Sequence, residues 1–500
     1  MSQSAIRTVI VLGTSYGGCR ASKILAEELP PNWRVIVIDR NSHFNHIYAF
    51  PRFTVMSKHS PKGFIPYKRM FDPKPKSTTV SGPTTPPQTP PVETSTLPDQ
   101  LAAHSRHQFI QGCVTKLTVN KVTFVRPKSK ANTKKSQTTK SKGNMTYGEF
   151  DGEEKTIKFD YLLYALGSTL PSPVNVWQAV DEDAEGDEKQ LGTKKRGLRF
   201  MQLQEEKFRK ADRILIVGGG ALGIEYAGDL KDLYPEKKIT LLHSRTRMMP
   251  LYPIELHLKV IEALNKMGVE VVLGERVMTW PDEPETFDGK VKFVTTDKGR
   301  TFEADLVLPC TGQKPHVSLM AEVNPALISP DTDRIRVLPT QQVHAGPVPS
   351  VTIDNAREQL SKLSLQSTFI TPPASDIGSS NSSTNGNSLI EDAHSYSHIF
   401  AIGDCADTKA IQAGHTAYWM GEVAARNILR CIAREEGGEK KAEPLEHYKP
   451  GLPAIKLTIG IKNTVIANGS EVTSDSDGVE DMNSMVMWPT CNAEGMDIME

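Results

Sequence analysis

Apolar residues along this chain fall into two blocks, and within each block the spacing alternates between strand and helix patterns. The first block runs from the apolar TVIVLG through CRASKILAEEL, which has helical spacing, to the apolar RVIVIDR. The second block repeats this order and includes the apolar runs RILIVGG and KITLLHS. Short continuous apolar runs are typical of parallel strands buried on both faces. The pattern therefore predicts repeated strand–helix–strand units and an α/β fold with parallel sheets.

Four stretches lack the apolar periodicity that is needed to bury a face, and we expect each of them to be a mobile surface loop. They are rich in Pro, Ser, Thr or charged residues and lie near 72–98, 126–142, 181–196 and 354–392. Without them roughly 400 residues of ordered chain remain, which suits two or three domains.

The 500-residue chain contains 59 Lys and Arg residues and 59 Asp and Glu residues, so its formal net charge is zero. No global electrostatic field therefore favours nucleic acid or an anionic membrane. The basic run at 126–142 contains no aromatic residue, so it has nothing on which bases would stack. We expect this run to be solvated, and we expect no specific nucleic-acid partner.

The six cysteines are scattered, without a C-x-x-C or a similar close pair. This spacing fits a reducing compartment and predicts no disulfide framework, no zinc site or other metal site, and no dithiol redox centre. No apolar run approaches the length that a membrane-spanning helix needs. The N-terminus enters a strand almost at once and leaves no room for a signal peptide. The expected location is therefore cytoplasmic.

The second block contains a glycine motif at Gly218, Gly220 and Gly223, between a strand and a helix. In a G-x-G-x-x-G turn the first glycine permits the tight bend and the second lets the backbone approach a pyrophosphate. The third glycine allows the helix to pack closely on the strand. The free N–H groups at the start of the helix then face the anion. This context predicts a dinucleotide site rather than a purely structural turn.

A similar motif opens the first block, with Gly13, Ser15 and Gly18 at the three key positions and Gly17 beside them. Ser15 departs from the usual middle glycine, although its side chain is small. Asp39 ends the following strand, about 20 residues after the motif, where a carboxylate is expected to bond a ribose hydroxyl. We therefore predict a second dinucleotide site, with Asp39 as its ribose ligand.

The corresponding position in the second block is His243, and Arg245 follows two residues later. A carboxylate would repel a ribose 2′-phosphate, whereas an arginine would bond it. The second site is therefore expected to accept NADPH, and solvated turn arginines are the alternative interpretation.

Three further segments resemble motifs of the two-dinucleotide-binding flavoproteins. FDYLLYALGS, which contains Gly167, resembles the segment that closes the first domain, and ADLVLPCTGQKP, which contains Gly312, resembles its counterpart in the second domain. HIFAIGDCAD is similar to the second flavin motif, in which Asp404 would bond the ribityl chain of FAD. The resemblance implies two Rossmann-like domains that bind FAD and NAD(P)H.

Within this superfamily the chain most resembles the apoptosis-inducing-factor-like group, which includes ferroptosis-suppressor oxidoreductases and is related to type II NADH dehydrogenases. The segments NSHFNHIYAFPRF, GGGALGIEYAGDL, TLLHSR and AGHTAYWMGEVAARNI carry this resemblance. It implies a discontinuous FAD-binding domain at 1–205 and 316–435, an NAD(P)H-binding domain at 206–315 and a C-terminal region at 436–500.

The resemblance also implies roles for individual residues. Glu225 matches a glutamate near the nicotinamide and the flavin, and His415 stands where some relatives place a lysine beside the flavin. A cation or donor at His415 would stabilise the anionic reduced flavin. The predicted cofactor-binding set also includes Arg52, Val114, Gly167 and Gly312.

The expected function is that of an FAD-dependent NAD(P)H oxidoreductase, and the resemblance implies a quinone as the electron acceptor. Two alternatives stay open: a reductase of a small protein electron carrier, and a redox-sensitive binding module in death signalling. The resemblance also allows peripheral contact with mitochondrial or other lipid membranes. The oligomeric state and the identity of the acceptor stay open.

Overall fold

The computed structural model describes residues 6–72, 106–127, 152–178, 190–346, 396–437 and 443–499. Most of the four predicted surface loops lie outside these described residues. Within the described ranges, no helix combines the length and the apolar composition needed to cross a bilayer. The chain folds as an α/β protein with two parallel sheets.

The described residues form seven α-helices, which are α1 Tyr16–Glu28, α2 Phe50–Val55, α3 Lys194–Lys210, α4 Ala221–Leu233, α5 Ile254–Met267, α6 Ser318–Val323 and α7 Gly414–Glu436. Short 3₁₀ helices cover Ile47–Ala49, Ser57–Gly63, Ser172–Val174, Pro325–Leu327, Gly403–Cys405 and Ser484–Cys491. The strands are β1 Arg7–Leu12, β2 Trp33–Asp39, β3 His43–Asn45, β4 Phe64–Pro66, β5 Gln108–Gln111, β6 Cys113–Leu117, β7 Lys121–Val125, β8 Glu154–Lys158, β9 Tyr161–Tyr164, β10 Ser168–Thr169, β11 Arg213–Val217, β12 Lys238–His243, β13 Glu270–Leu273, β14 Val277–Thr279, β15 Lys292–Thr296, β16 Thr301–Ala304, β17 Leu306–Pro309, β18 Lys314–Pro315, β19 Ile328–Ser329, β20 Arg334–Arg336, β21 Ile399–Ala401, β22 Ala406–Asp407, β23 Ala454–Ile459, β24 Asn463–Asn468 and β25 Glu471–Asp475.

The first parallel sheet has the strand order β21-β9-β1-β2-β5. Its central strand β1 is buried along almost its whole length, as the continuous apolar run predicts. The chain leaves β1 toward β2 on one side and later returns to β9 on the other. Such a reversal opens a crevice at the carboxyl ends of the strands.

The second parallel sheet has the order β13-β12-β11-β17 and repeats this arrangement around its central strand β11. The chain between β13 and β17 forms a three-stranded antiparallel sheet, β14-β15-β16. The two parallel sheets are connected by a short antiparallel pairing of β10 with β18. The repeated strand–helix–strand blocks predicted from the sequence are thus confirmed as two separate sheets.

The C-terminal residues form the antiparallel sheet β23-β24-β25, which packs on α4. The approach is close, since a Cβ on Gly228 of α4 would lie 2.4 Å from the backbone nitrogen of Gly460. The final described residues contact α1 and the 3₁₀ helix Ser57–Gly63, where the Trp488 indole donates a hydrogen bond to the carbonyl of Lys62 at 3.0 Å. The C-terminal region therefore contacts both halves of the molecule.

The prediction of a surface loop at 181–196 is wrong at its C-terminal end. The hydroxyl of Thr193 accepts a hydrogen bond from the N–H of Arg196 and caps α3. Lys194 and Arg196 are buried in the first turn of this helix. A contact with a distant part of the chain explains the difference, because the Lys194 ammonium donates a hydrogen bond to the carbonyl of Ile498 at 2.6 Å. Local composition cannot reveal such a contact.

The assignment of Arg52 to cofactor binding is also wrong. Its guanidinium forms a two-bond ion pair with Asp229 of α4, at 2.7 and 2.8 Å, and also donates to the carbonyl of Gly460 at 2.9 Å. The side chains of Arg52 and Asp229 are 0% and 1% exposed. Since these donors are occupied by the protein itself, Arg52 joins α2, α4 and the C-terminal sheet.

Removing one partner of this buried pair should be costly. In Arg52→Met the carboxylate of Asp229 stays buried without its counter-charge, so we expect the free energy of unfolding to fall by about 3–5 kcal/mol. The double variant Arg52→Met/Asp229→Leu should recover part of that loss. Chemical denaturation of the three proteins measures both effects.

The matched control is Lys58→Met, which removes an ion pair with Glu480 whose two side chains are 60% and 49% exposed. Exposed pairs contribute about 0–1 kcal/mol. If Arg52→Met were no more destabilising than Lys58→Met, the buried pair would not hold these elements together.

Candidate functional site

A cleft at the carboxyl ends of the first sheet brings together most of the residues predicted to bind the first dinucleotide. Its walls include eight of them, namely Gly13, Ser15, Gly17, Gly18, Asp39, Val114, Gly167 and Asp404. They come from five separate segments of the chain. The sequence therefore predicted a set of residues that the fold assembles in one place.

The turn between β1 and α1 shapes the floor of this cleft. Gly13 has a φ of +86°, and a Cβ on Gly18 would lie 2.0 Å from the carbonyl oxygen of Gly13. Both positions therefore require glycine. Ser15 is exposed to the cleft and its hydroxyl does not cap α1. A small side chain is thus tolerated at Ser15, and the first N–H groups of the helix stay available to an anion.

The carboxylate of Asp39 is held at the edge of the cleft by backbone donors. It accepts the N–H of Thr14 at 2.6 Å and the N–H of Asn41 at 2.7 Å. Burial raises the pKa of Asp39, and these hydrogen bonds oppose the shift. The fixed carboxylate retains lone pairs that can accept further hydroxyl donors.

Asp404 lies on another wall of the same cleft. It accepts a hydrogen bond from the Ser168 hydroxyl at 2.8 Å, and burial raises its pKa. Two polar cleft atoms, the Thr14 hydroxyl and the Asn45 side-chain oxygen, are buried without a hydrogen-bond partner. Unpaired buried polar atoms are rare in proteins. Their presence fits a cleft that receives the polar groups of a nucleotide.

Two cleft residues were missed from the sequence. The Arg40 guanidinium lies 4.1 Å from the centre of the Trp177 ring, and the Trp177 indole donates to the Asn41 side chain at 3.1 Å. Both residues line the cleft near Asp39. Arg40 directly follows Asp39 in the sequence, and this position could have identified it as a cleft residue. Trp177 lies in no recognisable motif.

The second glycine turn repeats the geometry of the first. Gly218 has a φ of +129°, and a Cβ on Gly223 would lie 1.9 Å from the carbonyl oxygen of Gly218. In contrast, a Cβ on Gly220 would face open space, as would one on Gly312. Gly220 is thus not required by packing, which fits a position kept bare for a ligand to approach.

His243 ends β12 beside this turn. Its Nδ1 accepts the N–H of Gly219 at 3.1 Å, so in the neutral ring the proton lies on Nε2. That Nε2 is buried, and burial lowers the pKa of His243, against the opposing effect of the Arg247 backbone. Arg245 is exposed, and its side chain makes no hydrogen bond or ion pair within the described part of the chain.

The two residues predicted to act near the reacting groups, Glu225 and His415, lie near Tyr48. The Tyr48 hydroxyl accepts the N–H of His415 at 3.2 Å and lies 3.5 Å from its Nδ1. The charges of Asp404 and Glu225 both raise the pKa of Tyr48, after the larger effect of burial. This grouping brings together residues of α4, α7 and the 3₁₀ helix Ile47–Ala49.

The comparisons with known proteins agree with this geometry. The family model described as pyridine nucleotide-disulphide oxidoreductase matches residues 7–343. The chain is 32% identical over 488 residues to Fe-regulated protein 8 of Mycosarcoma maydis, covering 96% of this chain and 94% of that protein. It is 26% identical over 310 residues to ferroptosis suppressor protein 1 of Mus musculus, covering 61% of this chain and 63% of that protein.

Solved structures show the same fold at low sequence identity. A NAD-dependent persulfide reductase from A. fulgidus aligns with a TM-score of 0.52 and 16% identity, over 92% of this chain and 63% of that one. An engineered water-forming NADPH oxidase bound to NADPH aligns with a TM-score of 0.52 and 16% identity, over 92% of this chain and 74% of that one.

The family resemblance, the fold class and the two cofactors predicted from the sequence are confirmed. Two sheets carry two glycine turns of the same geometry, and the family model spans both of them. The chain belongs to the pyridine nucleotide-disulphide oxidoreductase family and is an FAD-dependent NAD(P)H oxidoreductase.

Proposed function

We propose that the protein passes electrons from NAD(P)H through FAD to a quinone. FAD occupies the cleft of the first sheet, against the Gly13 turn, Asp39 and Asp404. NAD(P)H docks at the second turn, around Gly218 and Gly220. Bound FAD supplies the two-electron chemistry, while the residues of this chain position the partners and handle protons.

The observation that carries the quinone assignment is an exposed aromatic face beside the cleft. Tyr48 is 40% exposed and Trp419 is 56% exposed. Tyr48 contacts His415, and Trp419 follows His415 by four residues on α7, so it lies on the same side of that helix. A planar aromatic acceptor would stack on such a face. Its apolar character also suits peripheral contact with lipid, where quinones dissolve.

The arrangement of the thiols argues for direct transfer to the acceptor. All six cysteines lie in the described ranges, and Cys113 alone among them lines the cleft. A relay through a dithiol would need two thiols that face the cofactor. The cleft does not provide such a pair, despite the disulphide in the family description.

A quinone that takes up two electrons also takes up two protons, and Glu225 is suited to handle one of them. Burial and the neighbouring Asp229 charge raise the pKa of Glu225 to about 8, against the opposing effects of the Thr458 backbone and Arg52. The carboxyl group therefore holds its proton at neutral pH. A group whose pKa lies near the working pH is an efficient proton donor.

Coenzyme choice follows from the residues after β12. His243 is uncharged where a carboxylate would repel a ribose 2′-phosphate, and the exposed Arg245 guanidinium is uncommitted within the described residues. Arg247 is less available, since its guanidinium bonds the carbonyl of Tyr252. We infer that Arg245, supported by His243, reads a ribose 2′-phosphate, so that NADPH is used at least as well as NADH.

The acceptor is tested with the FAD-loaded protein and a short-chain benzoquinone. Anaerobic addition of NADPH should bleach the yellow flavin absorbance, and the quinone should then restore it. In Trp419→Ala the KM for the quinone should rise about tenfold, which corresponds to about 1.4 kcal/mol of lost contact. Flavin bleaching by NADPH should be unchanged in this variant.

The matched control is Trp280→Ala, because Trp280 is 39% exposed but does not line the cleft. It should leave both the bleaching and the quinone KM unchanged. Restoration of the colour by a small iron–sulfur protein but not by any quinone would contradict the proposal. It would favour the protein-carrier alternative instead.

Coenzyme choice is tested by Arg245→Ala, which should lower kcat/KM for NADPH and leave that for NADH nearly unchanged. A charge-assisted hydrogen bond contributes roughly 1.5–3 kcal/mol, or about 10- to 150-fold. His243→Glu should shift the preference toward NADH. Both coenzymes must be compared at one ionic strength, since salt screens an exposed contact. A wild-type protein that strongly prefers NADH, with Arg245→Ala silent, would refute this assignment.

A further inference from the structure

The fold brings two distant cysteines together, although their sequence spacing predicted no close pair. Cys19 lies in α1, directly after the first glycine turn, and Cys491 ends the 3₁₀ helix Ser484–Cys491. Both side chains are 0% exposed. The Cys19 thiol donates to the carbonyl of Thr490, the residue before Cys491, at 3.4 Å, and both cysteines belong to one cluster of buried side chains. The two thiols are therefore neighbours in one buried site.

A lysine holds the backbone of the C-terminal segment beside this pair. The Lys23 ammonium donates to the carbonyl of Pro489 at 3.0 Å and to the side-chain oxygen of Asn492 at 2.7 Å. These contacts lie on either side of Cys491 in the sequence. The positive charge of Lys23 favours the deprotonated thiolate form of a cysteine at this site.

The two thiols differ in acidity. The interaction with Cys491 lowers the pKa of Cys19, while burial, followed by the interaction with Cys19, raises the pKa of Cys491. Burial raises the pKa of the other four thiols, those of Cys113, Cys310, Cys405 and Cys431. Within the pair, Cys19 is therefore the thiol that we expect to attack as a thiolate, because the Lys23 ammonium lies beside the pair and a second thiol is next to it.

The segment that covers the pair is short. The 3₁₀ helix Ser484–Cys491 is anchored by the buried Trp488, while Val486 within it is 73% exposed. Short surface elements of this kind open locally at much lower free energy than global unfolding requires. Such opening would admit a small oxidant to the buried thiols.

We propose that Cys19 and Cys491 form an intrachain disulfide when the protein meets a hydroperoxide, which locks residues 484–499 onto α1. The Cys19 thiolate attacks the peroxide, the O–O bond breaks, and a sulfenic acid forms as water or an alcohol leaves. The Cys491 thiol then attacks that sulfur, the S–S bond forms, and water leaves. Two thiols are oxidised and one peroxide is reduced.

The test uses the FAD-loaded full chain, freed of reductant and treated with hydrogen peroxide. After denaturation and alkylation with iodoacetamide, two of the six thiols should be protected. Non-reducing peptide mapping should show the Cys19 peptide linked to the Cys491 peptide, and dithiothreitol should abolish the link. Cys19→Ser and Cys491→Ser should lose this protection, whereas the control Cys431→Ser should retain it.

The lock has a second readout that does not depend on catalysis. Backbone amide exchange across residues 484–499 should slow by roughly tenfold or more after oxidation, since the segment can no longer open freely. Peptide mapping of the wild-type protein tests whether the Cys19–Cys491 disulfide forms, even if a variant fails to fold. Six alkylatable thiols after peroxide treatment, a link between other cysteines, or irreversible oxidation of Cys19 without a link would each overturn the proposal. None of these outcomes depends on which acceptor the protein reduces.

Discussion

The close contact between strand and helix at each glycine turn is the constraint on which the rest of this structure depends. The third glycine of each turn would bring a Cβ within 2.0 Å or less of the carbonyl oxygen of the first, at Gly18 in one sheet and Gly223 in the other. Any side chain there would push the helix away from its strand. Because the helix stays close, its first N–H groups point into the crevice that the strand reversal opens.

Buried charge is the second constraint, and it connects the two halves. Arg52 neutralises Asp229 inside α4, one helical turn from Glu225. Glu225 has no comparable counter-charge, so its carboxyl group holds a proton at neutral pH. The same helix thus contains one acid that is paired with a buried counter-charge and one that lacks such a partner, and the second is the acid that we propose as a proton donor.

Features that depend on short-range sequence were predictable. The glycine turns, the strand that follows each one and Asp39 at the end of its strand need only local spacing, and the structure shows all of them. Contacts between distant residues were not predictable in this way. Arg52 and Asp229 are 177 positions apart, and their pairing depends on how two sheets and a C-terminal sheet meet. The sequence did not predict the role of Trp177 or the Cys19–Cys491 pair for the same reason, since no local pattern indicates their partners.

The central claim is that the second glycine turn holds NAD(P)H where it can reduce a flavin held by the first. The most direct measurement is anaerobic rapid mixing of NADPH with the FAD-loaded Gly220→Val variant, followed through the flavin absorbance. A Cβ on Gly220 meets no protein atom within 4 Å, so the variant should fold, stay yellow and fail to bleach, while the wild-type protein bleaches. Bleaching of the variant at the wild-type rate would contradict the account, because the turn would then be structural only.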